Sequence, residues 1–428
     1  MQLCHTSSVC HHRSSNHKLL TARLAAIKAP CSEPDRRAAS SDLVVRAATG
    51  GYGSTAREPN FDSVRFRQES GASASTSAVI DVTDDNQKHT RMEEVKQFLE
   101  AELGRIFTDG EVTRAKYAAD MKFQDPVVNY ASLDGFVFNI RALRTAFNVN
   151  FNLHNIDING PEEIKTRWTM TLKSRFLPWQ PKLVFSGYSY YAIDAVYGRI
   201  TGQRDVWDAI QDNSSPSIEG VAHVIKQLTD LQQTPNLDSP HYIVLKKTKE
   251  YEVRQYSPYL VAETSMPSGT RPAGGDGFTN LAGYIFGGNS RSTKMEMTTP
   301  VISTGGQQGP SGDKMQFPIE SKYGEDPDVL PLPNDARQDL GSSNKSFALL
   351  IGVTRKMEEG GIVAATSFPG IPLDFQVTEA ERKLRAALLL DGHSGQEGYQ
   401  LARYNDPFTL PFLRRNEVLI AVEDFELK

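Results

Sequence analysis

From His241 to Lys428 the sequence passes twice through the order strand, helix, strand, which points to a distorted barrel with one helix per half. The near-alternation over Tyr251–Tyr256 is a strand signal, Ser257-Pro258 breaks it, and Leu260–Thr264 resumes it. Phe278, Leu281 and Ile285 then share one face of a short helix that Gly287-Gly288 ends. Ser292–Val301 reads as the next strand, with Lys294, Glu296 and Thr298 on one side and Met295, Met297 and Thr299 on the other. Lys314–Pro318 and Leu332–Asp335 lead into the second half, with strands at Phe347–Thr354 and Ile362–Ser367. A capping box at Thr378–Glu381 opens a helix to about Leu390. Tyr399–Tyr404 is a strand, Asn405–Phe412 a loop, and Leu413–Val418 begins the final strand.

The preceding region has a different plan. Residues 48–90 are Gly-, Ser- and Ala-rich without sustained periodicity and read as a disordered linker. Helical spacing runs from Arg91 to Phe107, recurs around Arg114–Met121, and returns from Ser132 to Phe147. Asp125-Pro126 marks a turn between the last two. Strands follow at Phe151–Ile158, Glu163–Lys173, Lys182–Ile193 and Arg199–Trp207. Helices followed by a curved meander describe an α+β cone. Residues 213–240 form a connector with one amphipathic helix, its stripe made by Val221, Val224, Ile225, Leu228 and Leu231, expected to pack against a neighbouring domain.

Two family resemblances rest on these residues. Phe123–Val128, Leu143-Arg144, Trp168–Met170 and Val184–Tyr191 make residues 91–212 similar to DUF2358, a plant and algal family related to the cone of nuclear transport factor 2. Tyr251–Tyr256, Gly283–Gly287, Lys294–Val301, Leu332–Asp335 and Phe412–Val418 make residues 241–428 resemble the SOUL haem-binding family. The resemblances imply an α+β chain: an NTF2-like cone followed by a SOUL-type distorted β-barrel with two flanking helices. They imply reversible, non-covalent binding of haem b or a related porphyrin in an apolar cleft. That cleft would have Phe278, Leu281, Tyr284, Ile285 and Met297 on one side and Tyr404, Pro407 and Phe408 on the other. Arg291, Lys294 and Arg403 are the candidate partners for the propionates. By pattern alone the same apolar residues read as an ordinary core before a cofactor cleft, and it is the family resemblance that reverses this order. Gln255 stands where some relatives place a histidine ligand, so no strong axial ligand is expected.

Residues 1–47 are basic, hydroxyl-rich and without acid before Glu33, the composition of an organelle transit peptide, and they resemble a plastid leader. Removing their seven basic and three acidic residues takes the formal charge from −5 to −9. Cys4, Cys10 and Cys31 would leave with them, excluding disulfides, iron–sulfur clusters and a thiolate ligand. An acidic chain also argues against nucleic-acid binding. No apolar run reaches the roughly 18–20 residues of a membrane span. No catalytic motif is present: Gly287–Lys294 lacks the end of a P-loop, and Glu263 and Asp125 have no identifiable partner. Gly305–Gly312 reads as an inserted hairpin loop, and Arg414–Glu417 as a source of structural salt bridges. The expected function is a non-enzymatic plastid carrier or buffer of porphyrins, with chloroplast, plastoglobule or eyespot as its location. Peripheral association with plastid lipid bodies or thylakoid is a further expectation. A tetrapyrrole-modifying enzyme and a structural protein of lipid bodies are the alternatives.

Overall fold

The computed structural model describes residues 82–266, 275–305, 313–334 and 352–427. The expected leader and most of the linker lie outside these residues, as do most of the 305–312 loop and residues 347–351 of one expected strand.

Helix α1 (Val82–Asp109) opens the cone, followed by β1 (Tyr117–Gln124), β2 (Asn129–Tyr130), α2 (Leu133–Ala146), β3 (Phe147–Ile158), β4 (Glu163–Ser174), β5 (Lys182–Asp194) and β6 (Arg199–Trp207). Helix α1 starts nine residues inside the segment read as linker, because Val82–Thr90 is polar and carries no apolar period to betray it. The Arg114–Met121 helix is also corrected: one turn at Arg114–Lys116 gives way to β1. Pairing with β2 and β6 sends Tyr117, Met121 and Phe123 into the core and overrides local helix propensity. Ser132 caps α2, its hydroxyl accepting from the Gly135 N–H. The sheet order is β2-β1-β6-β5-β4-β3, with β1 parallel to β6 and every other pair antiparallel. Its inner face holds two apolar clusters, one under α1 and α2 and one around Trp168, Phe185 and Trp207.

The connector helix α3 (Ile218–Leu228) packs Val224 and Leu228 onto the second cluster and leaves Val221 and Ile225 exposed. Beyond it come β7 (Tyr242–Lys247), β8 (Glu252–Tyr256), β9 (Tyr259–Ser265), α4 (Asp276–Ile285), β10 (Val301–Gly305), β11 (Lys314–Pro318), β12 (Val353–Glu358), β13 (Gly361–Phe368), α5 (Asp374–Leu390), β14 (Tyr399–Arg403) and β15 (Asn416–Ala421). The Ser257-Pro258 break falls between β8 and β9 as expected. It carries the chain from one side of the sheet to the other, since the order is β12-β9-β11-β10-β14-β15-β13-β8-β7. All pairs are antiparallel, and the sheet curls into a half-barrel with edges at β12 and β7.

Two more expectations change. Lys294–Thr299 is not a strand: Lys294 bridges Phe286 and regular pairing begins only at Val301. Helix α5 begins at Asp374, so Thr378 lies inside it, and Gln376 reaches back to the Leu373 N–H at 3.4 Å instead. Edge strand β7 is covered by the cone. The Lys247 N–H donates to Ser186 Oγ at 2.6 Å, and the Leu245 carbonyl accepts from Arg167, itself held by Asp208 at 2.7 and 2.9 Å.

Candidate ligand-binding sites

Strand alternation divides the nine-stranded sheet into two faces with different chemistry. On the outer face α4 packs over β9, β11 and β12, and α5 over β13 and β15. Strands β10 and β14 run between the two helices. There Val301 lies opposite Arg403 and Ser303 opposite Leu401. Val301 packs with the α4 cluster and Leu401 with the α5 cluster, so Arg403 stands at their junction. Its Nη2 donates to Ser303 Oγ at 2.9 Å, while its Nε is buried without a partner. Burial brings its pKa down to about 10, and among the described residues no carboxylate is paired with it to offset that. A guanidinium held like this has hydrogen-bonding capacity left for an anionic partner.

The structure separates the expected site residues. Leu281, Tyr284 and Ile285 are core: they lie beneath α4 with Met295, Met315 and Phe317, and the Tyr284 hydroxyl donates to the Pro331 carbonyl at 2.7 Å. All three are buried, because the i, i+3, i+4 stripe of a helix on a sheet is the stripe that faces the core. Phe278, on the same helix, remains 39% exposed and meets Phe317 edge-on. Met297 is half-buried against the α4 cluster. Arg291 and Lys294 are exposed, Arg291 donating to the Val329 carbonyl at 3.0 Å. Pro407 and Phe408 sit on the loop after β14, with Phe408 94% exposed. Arg414 braces that loop through the Thr409 and Pro407 carbonyls. Tyr404 is the clearest displacement. One residue beyond Arg403, it points to the inner face and gives its hydroxyl to Glu417 at 2.7 Å. Only its carbonyl faces the Met297 segment, accepting from Thr299 Oγ1 at 2.9 Å.

The inner face carries an ionic network that includes residues sequence reasoning missed. Glu417, wholly buried, accepts from Arg254 at 2.7 and 2.8 Å, from Arg415 at 2.5 and 3.0 Å, and from Tyr404. Arg254 Nε also donates to Glu252 at 2.8 Å, and Lys247 reaches Glu252 at 3.2 Å. Burial alone would raise both carboxyls, yet the surrounding cations hold Glu252 and Glu417 well below the usual range. Of this network, the sequence signalled only Arg415 and Glu417. The face borders a cavity of about 1330 Å³ that is lined as well by the cone's outer surface and α3 and that extends past the sheet to residues of α5 such as Phe375 and Glu379. Tyr242 lines it, its ring 4.6 Å from the Arg254 guanidinium, and Lys182 of the cone lies 3.5 Å from its hydroxyl. Burial pushes the Tyr242 phenol up, but Arg254, Lys182 and Arg415 outweigh it and the net direction is down. His241 also lines this cavity, while Gln255 lies on β8.

A third cluster lies inside the cone. Asp205 accepts from Ser189 at 2.6 Å and Gln203 at 2.9 Å, and Ser189 accepts from the Trp168 indole at 2.8 Å. Burial pushes the Asp205 carboxyl up to about 7, with Asp125 adding to the rise. Asp125 itself accepts from the Val127 and Val128 N–H groups, closing the expected turn. Glu263 pairs with Lys314 and Gln316, each at 2.8 Å. Among the described residues no group of three or more His, Cys, Asp or Glu could hold a metal ion, and no helix is long and apolar enough to cross a membrane.

Comparison with known proteins follows this division. Residues 237–421 match the family model described as SOUL heme-binding protein, and residues 93–201 match that of an uncharacterized conserved protein, DUF2358. No curated protein matches the chain. Similar solved structures include an LEH-like epoxide hydrolase of M. tuberculosis, at 18% identity and a TM-score of 0.26, covering 32% of this chain and 95% of that one. Another is the epoxide hydrolase/cyclase-like enzyme SalBIII, at 14% identity and a TM-score of 0.25, covering 27% and 93%. A third is TsrD from Streptomyces laurentii, at 12% identity and a TM-score of 0.25, covering 33% and 96%. The chain therefore joins a segment that matches DUF2358 to one that matches the SOUL heme-binding family model.

Proposed function

We propose that this chain is a reversible tetrapyrrole carrier or buffer that holds a porphyrin on the outer face of the half-barrel, between α4 and α5. Arg403 carries the reading. It is a half-buried guanidinium without a carboxylate partner among the described residues, set where a propionate would supply the missing charge. Met297, Phe278 and Phe408 keep apolar surface available for the ring, and the exposed Lys294 and Arg291 are candidates for the second propionate, Arg291 at the cost of its bond to the Val329 carbonyl. The basic, hydroxyl-rich leader supports plastid delivery. The exposed Ile218, Val221 and Ile225 edge of α3 is where association with plastid lipid bodies would act.

The test is a titration of the full chain with haemin and, separately, protoporphyrin IX, followed by Soret shift and tryptophan quenching. Both rings carry propionates, so Arg403→Gln should weaken both by about tenfold or more, and Met297→Glu should abolish saturation. Absence of saturable binding of either ring to the unmodified chain would sink the proposal.

A further inference from the structure

The charges of the inner network do not balance. Three cations, Lys247, Arg254 and Arg415, share two carboxylates, Glu252 and Glu417. Their side chains are at most 22% exposed, so the remaining positive charge is held largely out of water. The other carboxylates along the cavity do not supply the difference. Glu358 is engaged by Lys356 and Gln316, Glu379 by Arg382 and Lys383, and Asp230, Glu250 and Glu397 stand exposed at the margin.

The facing wall adds to the imbalance. Lys173 and Lys182 are direct register partners on β4 and β5, and both line the cavity. Like charges opposite one another weaken a strand pair. Tyr242 sits between the two walls, its ring over Arg254 and its hydroxyl toward Lys182. Pro300, Ile302, Val363, Ala365 and Leu419 add apolar surface to the lining.

The geometry points to a second ligand site in this cavity, one that takes a monoanionic amphiphile, a carboxylate head on an apolar body. Lys182 and the Tyr242 hydroxyl make the direct contacts with the head. Arg254 and Arg415, whose guanidiniums are already committed to Glu417, supply the field. The cone and the half-barrel each provide one wall, so the site exists only in the joined chain. It is independent of Arg403, which lies on the opposite face of the sheet.

The test uses the full chain and cis-parinarate, a fluorescent fatty-acid anion, beside its uncharged methyl ester. The acid should bind saturably and at least ~10-fold more tightly than the ester, the scale of one charge-assisted hydrogen bond. Lys182→Met and Tyr242→Phe should each erase most of that difference. Lys182 is exposed and Phe is isosteric with the tyrosine ring, so both variants should fold, which circular dichroism would verify. Haemin at saturation should leave parinarate in place. Equal affinity for acid and ester, an unchanged ratio in both variants, or stoichiometric displacement by haemin would overturn the second site. The first two outcomes leave the porphyrin proposal standing, and failure of haemin binding leaves this one standing.

Discussion

Glu417→Gln is the perturbation that most directly probes how the half-barrel is held. The wild-type carboxylate accepts from two guanidiniums and a phenol with no solvent contact. The amide keeps the shape but removes the charge and turns an NH2 toward donors, leaving Arg415 without its carboxylate and Arg254 with Glu252 alone. Removing one partner of a buried pair costs about 3–5 kcal/mol, and because Arg254 keeps Glu252 the orphaned cation here is Arg415. Urea unfolding of wild type and variant at pH 7 measures it as a shift in midpoint at constant slope. The pH dependence gives an independent check. The folded-state pKa of Glu417 lies below its ordinary 4.5, so its contribution is complete above that value and fades as the pH falls below it. The variant should therefore lose part of the acid limb of the stability curve. Arg254→Met with Glu417→Met removes one charge of each sign, preserves the network's net charge, and should be less destabilising than Glu417→Gln alone. A loss below about 1 kcal/mol, within the range of an exposed pair, with an unchanged acid limb, would refute the reasoning.

Two further outcomes are expected. Asp205, raised to about 7 from 3.8, keeps a proton in the folded state that the unfolded chain releases, so stability should fall as the pH rises from about 4 to about 7. Asp205→Asn should flatten that slope, whose ceiling is about 4 kcal/mol and which solvent contact roughly halves; an unaltered profile by thermal melts would contradict it. Leu281→Ala should cost about 2–5 kcal/mol as a core truncation yet leave haemin affinity unchanged in folded protein, whereas a ligand-lining role would lower affinity as well.

The elements whose side chains alternate or recur were legible in the sequence. Strands β3 to β6 came from their β-branched and aromatic content, α2 from its spacing and Ser132 cap, and the β8–β9 break from Ser257-Pro258. Segments without a local pattern were not. The polar first turns of α1 carry no apolar stripe, and β1 looks helical until β2 and β6 pair with it. The resemblance to the SOUL family brought Arg403 into view as a candidate, but not its buried Nε without a partner. Whether a guanidinium has a partner depends on what faces it in space.

The sequence by itself determined the α+β plan, the two half-barrel helices, and a cysteine-free chain after Cys31, because composition and period are local properties. The tertiary structure decided which face each residue serves. It turned Tyr404 away from Arg403, closed α4 over Leu281, Tyr284 and Ile285, and brought Arg254 to Glu417 across 163 positions. No window along the chain spans such a separation. Pairing across the sheet fixes these contacts, and with them the charge left over at the cavity and the guanidinium left open between the helices.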